Sequence, residues 1–173
     1  MPALDELAAV PDDLVVLGHG GTDRAEPDGR RRIPSMYVDP VSWLVLEAVD
    51  EALADCPDTV RQSPDEVAVM LVSTHATLHT MTEIAKAIPS GRLSPLRFAG
   101  ASPGGAASLT CLVHKFRGPS LMMTTTPDEG WPAALTMARF WLRTGAATSV
   151  VLSAHTASDH GHRVRTVVLG ANR

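Results

Sequence analysis

The sequence has few of the features that mark a specialised class of protein. Aromatic residues make up only 4% of the chain, and no apolar run approaches the ~20 residues that a membrane-spanning helix needs. The formal net charge of -4 gives no electrostatic basis for binding nucleic acid. Only two cysteines occur, and the first residues, MPALDELAAVPDD, lack the basic start and apolar core of a secretory signal. We therefore expect reduced thiols, a cytoplasmic location and neither a nucleic-acid nor a membrane partner.

The remaining composition is that of an ordinary α/β domain. Hydrophobic residues make up 45% and charged residues 20% of 173 residues, which is long enough to bury a sizeable core. We expect one domain over residues 1–173. Its short basic run, Arg30-Arg31-Arg32, is interpreted as a solvated loop rather than an anion-binding patch.

The hydrophobic pattern predicts strands that alternate with helices. Strands are expected at residues 14–18, 66–72, 120–125, 149–154 and 163–169. Helices are expected from Pro40 towards Pro57 and at residues 77–88, 106–116 and 131–144. The order β, α, β, α, α, β, α, β, β predicts an α/β fold with a mostly parallel five-stranded sheet and helices on both faces. The last strand is expected to pair with the fourth through a hairpin or a longer loop, which is compatible with one antiparallel strand.

Several segments in a fixed order carry a resemblance to a known family. They are Arg92-Leu93-Ser94-Pro95-Leu96-Arg97-Phe98, Ser102-Pro103-Gly104-Gly105-Ala106-Ala107, Arg117-Gly118-Pro119-Ser120, and residues 133–145 leading into Ala147-Thr148-Ser149-Val150-Val151-Leu152. In this order, residues 66–155 resemble β-ketoacyl synthases. The resemblance implies a thiolase-like half-fold, βαβαβαββ, that corresponds to the N-terminal half of such enzymes. Because the catalytic histidines and lysine of that family belong to the C-terminal half, we expect none of the seven histidines here to take those roles.

The resemblance also places the family's nucleophilic cysteine at Pro127. Proline has neither an ionisable group nor a backbone N–H, so it can neither attack a thioester nor donate to an oxyanion. Its neighbours, Thr126 and Asp128, are not thiols. We expect Cys111 to be a buried hydrophobe on a helix, and Cys56 to lack a basic neighbour that would lower its pKa. Condensation by this chain alone is therefore not expected.

One histidine cluster leaves metal chemistry open. His155, Asp159, His160 and His162 lie within eight residues, and such side chains are zinc ligands. The same residues are also typical of a solvated loop between two strands. We favour the loop interpretation and predict no metal site.

Acid–base chemistry is the other open alternative. His75 and His79 have the i,i+4 spacing of one helix face, without the glutamate of a zincin motif. Asp128 and Glu129 are either acid–base groups or, more simply, charges that favour a helix N-terminus. A diverged enzyme would use a pocket around Pro127, with His155, Asp128 or His75 as its acid–base groups.

The leading hypothesis is a non-catalytic accessory subunit of polyketide or fatty-acid-type biosynthesis. By resemblance to chain-length factors, which also lack the cysteine, it would pair with itself, with a ketosynthase or with an acyl carrier protein. In thiolase-like proteins the strand before the cysteine pairs with its mate, which makes Leu121, Met122, Met123 and Thr124 the expected dimer interface. A half-fold is also expected to expose an apolar surface that favours association. The further alternative is an acyl-chain or small-molecule binder, and no motif indicates a cofactor.

Overall fold

A computed structural model describes residues 10–27, 37–92 and 94–172, and places five strands and six helices in them. The strands are β1 (Leu14–Arg24), β2 (Val67–Ser73), β3 (Ser120–Met123), β4 (Ser149–Ser158) and β5 (Gly161–Ala171). The helices are α1 (Pro40–Ala54), α2 (Asp58–Gln62), α3 (Leu78–Ala87), α4 (Pro95–Gly100), α5 (Gly105–His114) and α6 (Pro127–Thr144). The run Arg30-Arg31-Arg32 lies outside the described residues, as does Leu93.

The five strands form one mixed sheet in the order β1-β5-β4-β2-β3. Strand β2 pairs in parallel with β3 and β4, whereas β4 with β5 and β5 with β1 are antiparallel. The prediction of a mostly parallel sheet is therefore wrong. After β4 the chain returns through a tight hairpin, closed by Ser158 opposite Gly161, instead of through a crossover helix. Strand β1 then pairs with the returning strand, which adds the second antiparallel pairing.

Alternation along the central strands places helices on both faces of this sheet. All seven residues of β2 are buried, as expected for a strand that is covered on each side. One core lies between the sheet and helices α1 and α5, and includes Val67, Val69 and Leu71 of β2. The other lies under α6, and includes Ala68, Met70 and Val72. We call these two sides the α1 face and the α6 face.

Helix α1 packs closely against β1. Asp39 caps the helix by accepting a 3.0 Å hydrogen bond from the Val41 N–H, and Pro40 takes the first helical position. A side chain at Gly20 would collide with the backbone of α1 at Ala48. The strand predicted at residues 14–18 therefore continues to Arg24, and glycine within this added part permits close packing of the helix.

Other elements also differ from the sequence prediction. Helix α6 begins at Pro127 rather than Trp131, because proline is well accommodated in the first turn of a helix. Helix α4 lies between the helices expected at residues 77–88 and 106–116, where no regular element was predicted. Strands β4 and β5 are longer than expected, so most of the predicted loop at residues 156–162 is paired strand. In the described part of the chain, no helix is both long and apolar enough to cross a membrane.

Candidate functional site

The N-terminus of α6, where the resemblance places a nucleophile, is built as a capped helix start. Thr126 is the N-cap and accepts the Glu129 N–H on its hydroxyl at 3.4 Å. Pro127 follows at the first helical position and is buried. The Glu129 carboxylate accepts hydrogen bonds from the hydroxyls of Thr125 (2.8 Å) and Thr126 (3.0 Å), which lower the pKa of Glu129. Asp128 is exposed in the same turn, so both carboxylates lie where the helix dipole favours negative charge.

Neither cysteine lies at this turn. Cys56 is buried just after α1 and its thiol donates to the Ala52 carbonyl oxygen at 3.2 Å. Burial raises the pKa of Cys56, although the nearby charge of Arg61 acts in the opposite direction. The expectation that Cys56 has no basic neighbour is therefore wrong. Burial also raises the pKa of Cys111, on α5, so both sulfurs are held as thiols rather than as reactive thiolates.

A buried chain of hydrogen bonds joins Ser73, His155 and His162, and we call these three residues the relay. The Ser73 Oγ lies 2.7 Å from the His155 Nδ1, and the His155 Nε2 lies 3.0 Å from the His162 Nδ1. Ser73 and His155 are register partners on β2 and β4, with exposures of 0% and 1%. Burial, followed by the charges of His162 and His75, lowers the pKa of His155 to about 3. His155 is therefore a neutral imidazole at ordinary pH.

The relay lies between the N-termini of α1 and α3. Burial lowers the pKa of His162, against the opposing charge of the Asp39 carboxylate, while His75 and His79 add to the shift. Asp39 is itself buried, and its second carboxylate oxygen accepts the Thr80 N–H at 2.8 Å. His79 lies on α3, whereas His75 lies in the turn that precedes this helix. The interpretation of His75 and His79 as one helix face is therefore wrong, although both lie near the relay.

The histidine cluster predicted from sequence is divided between buried and exposed positions. His155 and His162 direct nitrogens at each other, with their rings nearly parallel. His160 is exposed in the hairpin turn, where its backbone N–H donates to the Ser158 hydroxyl. Within residues 10–27, 37–92 and 94–172, no three His, Cys, Asp or Glu side chains are arranged to hold a metal ion.

The sheet separates the relay from the start of α6. His155 follows Val151 at even spacing along β4, which places its side chain on the α1 face. Helix α6 packs on the opposite face, where its Gly130 lies against Val72. The structure thus brings His75 close to His155 and leaves Pro127 and Asp128 at a different place. A single pocket that combines these candidate residues is not formed.

An open groove of about 480 Å³ follows the outer face of α6. Its lining combines polar, charged and aromatic side chains: Thr136, Arg139, Phe140, Arg143 and Thr144. Arg139 also pairs with Asp13 at 2.8 Å. An acyl chain is better accommodated by an enclosed, mostly apolar cavity, so this groove does not support the acyl-binder alternative.

Exposed apolar side chains gather instead on α3, α4 and the turn between them. Five large hydrophobic residues there are 50–58% exposed: Leu78, Met81, Ile88, Leu96 and Phe98. We call this set the α3–α4 surface. Large apolar patches on soluble proteins commonly mark an interaction site.

Strand β3 is an edge strand, paired only with β2 among the described residues. The Val69 N–H donates to the Pro119 carbonyl at 2.9 Å, and Val69 is in register with Ser120. Successive residues of a parallel strand direct their backbone groups to opposite sides, so the N–H and C=O of Ser120 and Met122 face outward.

The predicted interface residues have different positions along this edge. Leu121 and Met123 pack towards the α6-face core and Met122 towards the α1-face core, while Thr124 follows the strand and is exposed. The free edge therefore offers a partner backbone hydrogen bonds beside the half-buried side chains of Leu121, Met122 and Met123, and their role as an interface stays a prediction.

No protein-family profile matches the sequence, and no curated protein sequence is significantly similar to it. Solved structures do match. One is a chain from the complex of a type II polyketide synthase acyl-carrier protein with its ketosynthase bound to the hexaketide. It has a TM-score of 0.71 and 15% identity, with 92% of this chain and 62% of that chain covered. For the ishigamide ketosynthase/chain length factor the TM-score is 0.70 and the identity 14%, with 91% and 62% covered. A ketosynthase in complex with its chain length factor from Xenorhabdus doucetiae has a TM-score of 0.62 and 15% identity, with 92% of this chain and 79% of that chain covered.

These matches identify the fold as that of ketosynthases and chain length factors. The resemblance predicted from the sequence is therefore confirmed at the level of the fold. The chain spans less than two thirds of the length of the first two of these chains, in agreement with a thiolase-like half-fold.

Proposed function

We propose that this chain is a non-catalytic, ketosynthase-like subunit of a polyketide- or fatty-acid-type pathway. The observation that carries the proposal is the start of α6. There the Thr126 hydroxyl caps the helix and Pro127 takes the place that the resemblance gives to the nucleophile. With both cysteines elsewhere and protonated, this turn stabilises a helix and offers no group to attack an acyl thioester.

The partner in this proposal is a second copy of the chain or a ketosynthase, joined at the edge of β3. An added strand would satisfy the outward backbone groups of Ser120 and Met122, which is a common mode of association. The α3–α4 surface would add apolar area to such a contact. Two of the similar structures contain a ketosynthase and a chain length factor, which supports pairing within this fold.

An acyl carrier protein is the other partner that we include. One similar structure is a complex of an acyl-carrier protein with its ketosynthase. We place the protein in the cytoplasm, because its cysteines, Cys56 and Cys111, are both free and a reducing compartment keeps them so.

The relay does not favour a second, enzymatic function. A serine beside a histidine suggests a nucleophile and its base, but a nucleophile must reach its substrate. Ser73 is completely buried, and its hydroxyl also accepts the His75 N–H at 3.2 Å. Ser73 lies at the end of a core strand, so its hydrogen bonds have a structural role.

Sedimentation velocity tests the proposed association. The purified chain would be run alone and then mixed with ketosynthases and acyl carrier proteins encoded near its gene. We expect a stable homodimer or a complex with one of these proteins, and no acyl transfer to the chain from an acyl-thioester donor. A chain that stays monomeric and binds none of them would contradict the proposal, as would covalent acylation of the chain.

A further inference from the structure

The hydrogen bonds of the relay have a direction that depends on the tautomers of its two histidines. The His75 N–H donates to the Ser73 Oγ, which leaves the hydroxyl hydrogen of Ser73 available for the His155 Nδ1. When the hydroxyl donates there, His155 carries its own hydrogen on Nε2 and donates it to the His162 Nδ1. In this arrangement both rings are neutral, and each has its hydrogen on Nε2.

Helix α3 is attached to the sheet mainly by polar contacts at its N-terminal end. Ile84 is its single buried residue. In the turn before the helix, the His75 N–H binds the Ser73 hydroxyl, and in its first turn the Thr80 N–H binds the Asp39 carboxylate. Ser73 belongs to the relay, and the charge of Asp39 acts on His162. The attachment of α3 thus shares Ser73 with the relay, and its other acceptor, Asp39, is a charge that acts on His162.

We propose that the relay is a proton-operated latch, in which protonation of His162 releases the N-terminal end of α3 from the sheet. A protonated His162 carries hydrogens on both ring nitrogens, so its Nδ1–H faces the Nε2–H of His155. By moving its hydrogen to Nδ1, His155 relieves this contact and becomes a second donor to the Ser73 Oγ, alongside the His75 N–H. The new positive charge also attracts the Asp39 carboxylate, in competition with the Thr80 N–H.

Titratable and charged groups lie near His162 on the surrounding elements. The charges that act on its pKa are those of Asp39 at the start of α1, His75 in the turn after β2 and His79 on α3. His155 on β4 contacts its ring, and Arg24 on β1 is its register partner and is paired with Glu47 of α1. Asp159 and His160 lie in the adjoining hairpin turn. Because the pKa of His162 is lowered in the latched state, that state binds fewer protons than the released state, and acid favours release.

Release would alter the α3–α4 surface, since Leu78 and Met81 lie on α3. The latch requires no partner, so its test gives a result whether or not the proposed function is correct. Its consequence for binding is that acid changes the apolar surface offered by residues 78–98 while the sheet and α6 stay intact.

Hydrogen exchange measured by mass spectrometry on the full chain at pH 7.5 and pH 5.5 tests the latch. After correction for intrinsic exchange, we expect protection of residues 75–91 to fall at least tenfold more than that of α6. His162→Gln should abolish this extra loss, whereas His160→Gln, in the exposed turn, should retain it. An equal change in residues 75–91 and α6, or a full loss in His162→Gln, would overturn the proposal.

The imidazole tautomers give a second test that needs no variant. Nitrogen chemical shifts of the wild-type protein at pH 7.5 should place the hydrogens of His155 and His162 on Nε2. A hydrogen on the Nδ1 of either ring would overturn the proposal, even if His162→Gln failed to fold.

Discussion

Replacing His155 with glutamine should flatten the pH dependence of the protein's stability between pH 7 and pH 5. The pKa of this buried histidine falls from 6.5 to about 3, chiefly because burial disfavours the charged ring. At pH 5 the unfolded chain therefore holds a proton that folding must expel. Since the folded pKa is lowered, the full stability is present above pH 6.5 and is lost as the pH falls towards 3.

The size of this loss follows from the two pKa values of His155. Each pH unit below 6.5 costs about 1.4 kcal/mol until the folded pKa is approached. The cost is about 0.2 kcal/mol at pH 7 and about 2 kcal/mol at pH 5, so the wild-type protein should lose about 2 kcal/mol over this interval through His155 alone. Nearly all of this difference arises from protonation of the unfolded chain.

Urea unfolding at pH 7, 6 and 5 measures the effect. In His155→Gln the amide can still accept from Ser73 and donate to His162, so the packing of the relay is largely preserved. The variant should show about 2 kcal/mol less loss between pH 7 and pH 5 than the wild-type protein. His19→Gln, at an exposed position on β1, serves as the control and should keep the wild-type slope. Equal slopes for wild type and His155→Gln would refute the assignment of a buried neutral histidine.

Two further predictions concern the start of α6 and the thiols. Thr126→Ala should lower the free energy of unfolding by about 1 kcal/mol through loss of the N-cap. The control variant Thr136→Ala, at an exposed site of the same helix, should not lower it. Equal losses of the two variants in urea unfolding at pH 7 would contradict the capping role. Cys56 and Cys111 should react with a thiol reagent more slowly in the native protein than in urea, because burial raises the pKa of both. Labelling of the native chain at the rate of a free thiol would show that this interpretation is wrong.

The order of elements could be predicted from local signals. Asp39-Pro40 marks the start of α1, and the apolar run of β2 reports a strand that is buried on both sides. The direction of β1 could not be predicted in this way, because an apolar run looks the same in parallel and antiparallel pairings. Its antiparallel pairing with β5 therefore changed the type of sheet without changing the element order.

The two functional features differ in how much the sequence reveals. A capping signal, Thr126 followed three residues later by Glu129, was available in the sequence and would have moved the start of α6 to Pro127. The relay had no such local signal, since Ser73 and His155 are 82 positions apart and meet only through the register of β2 and β4. The indication in the sequence was a serine at the end of the apolar run of β2 and a histidine directly after the apolar run of β4.

The most direct test of the proposed subunit is the association constant of the chain, alone or with its ketosynthase partner, for wild type, Ser120→Ala and Ser120→Pro. Ser120 is exposed and its N–H faces the free edge of β3, so proline there removes an outward donor while the pairing with β2 remains. We predict that Ser120→Ala associates as the wild type does, and that Ser120→Pro associates roughly tenfold or more weakly, since a lost hydrogen bond and the added ring cost about 1.4 kcal/mol or more. Equal association of all three proteins, with unchanged thermal unfolding, would contradict pairing through β3.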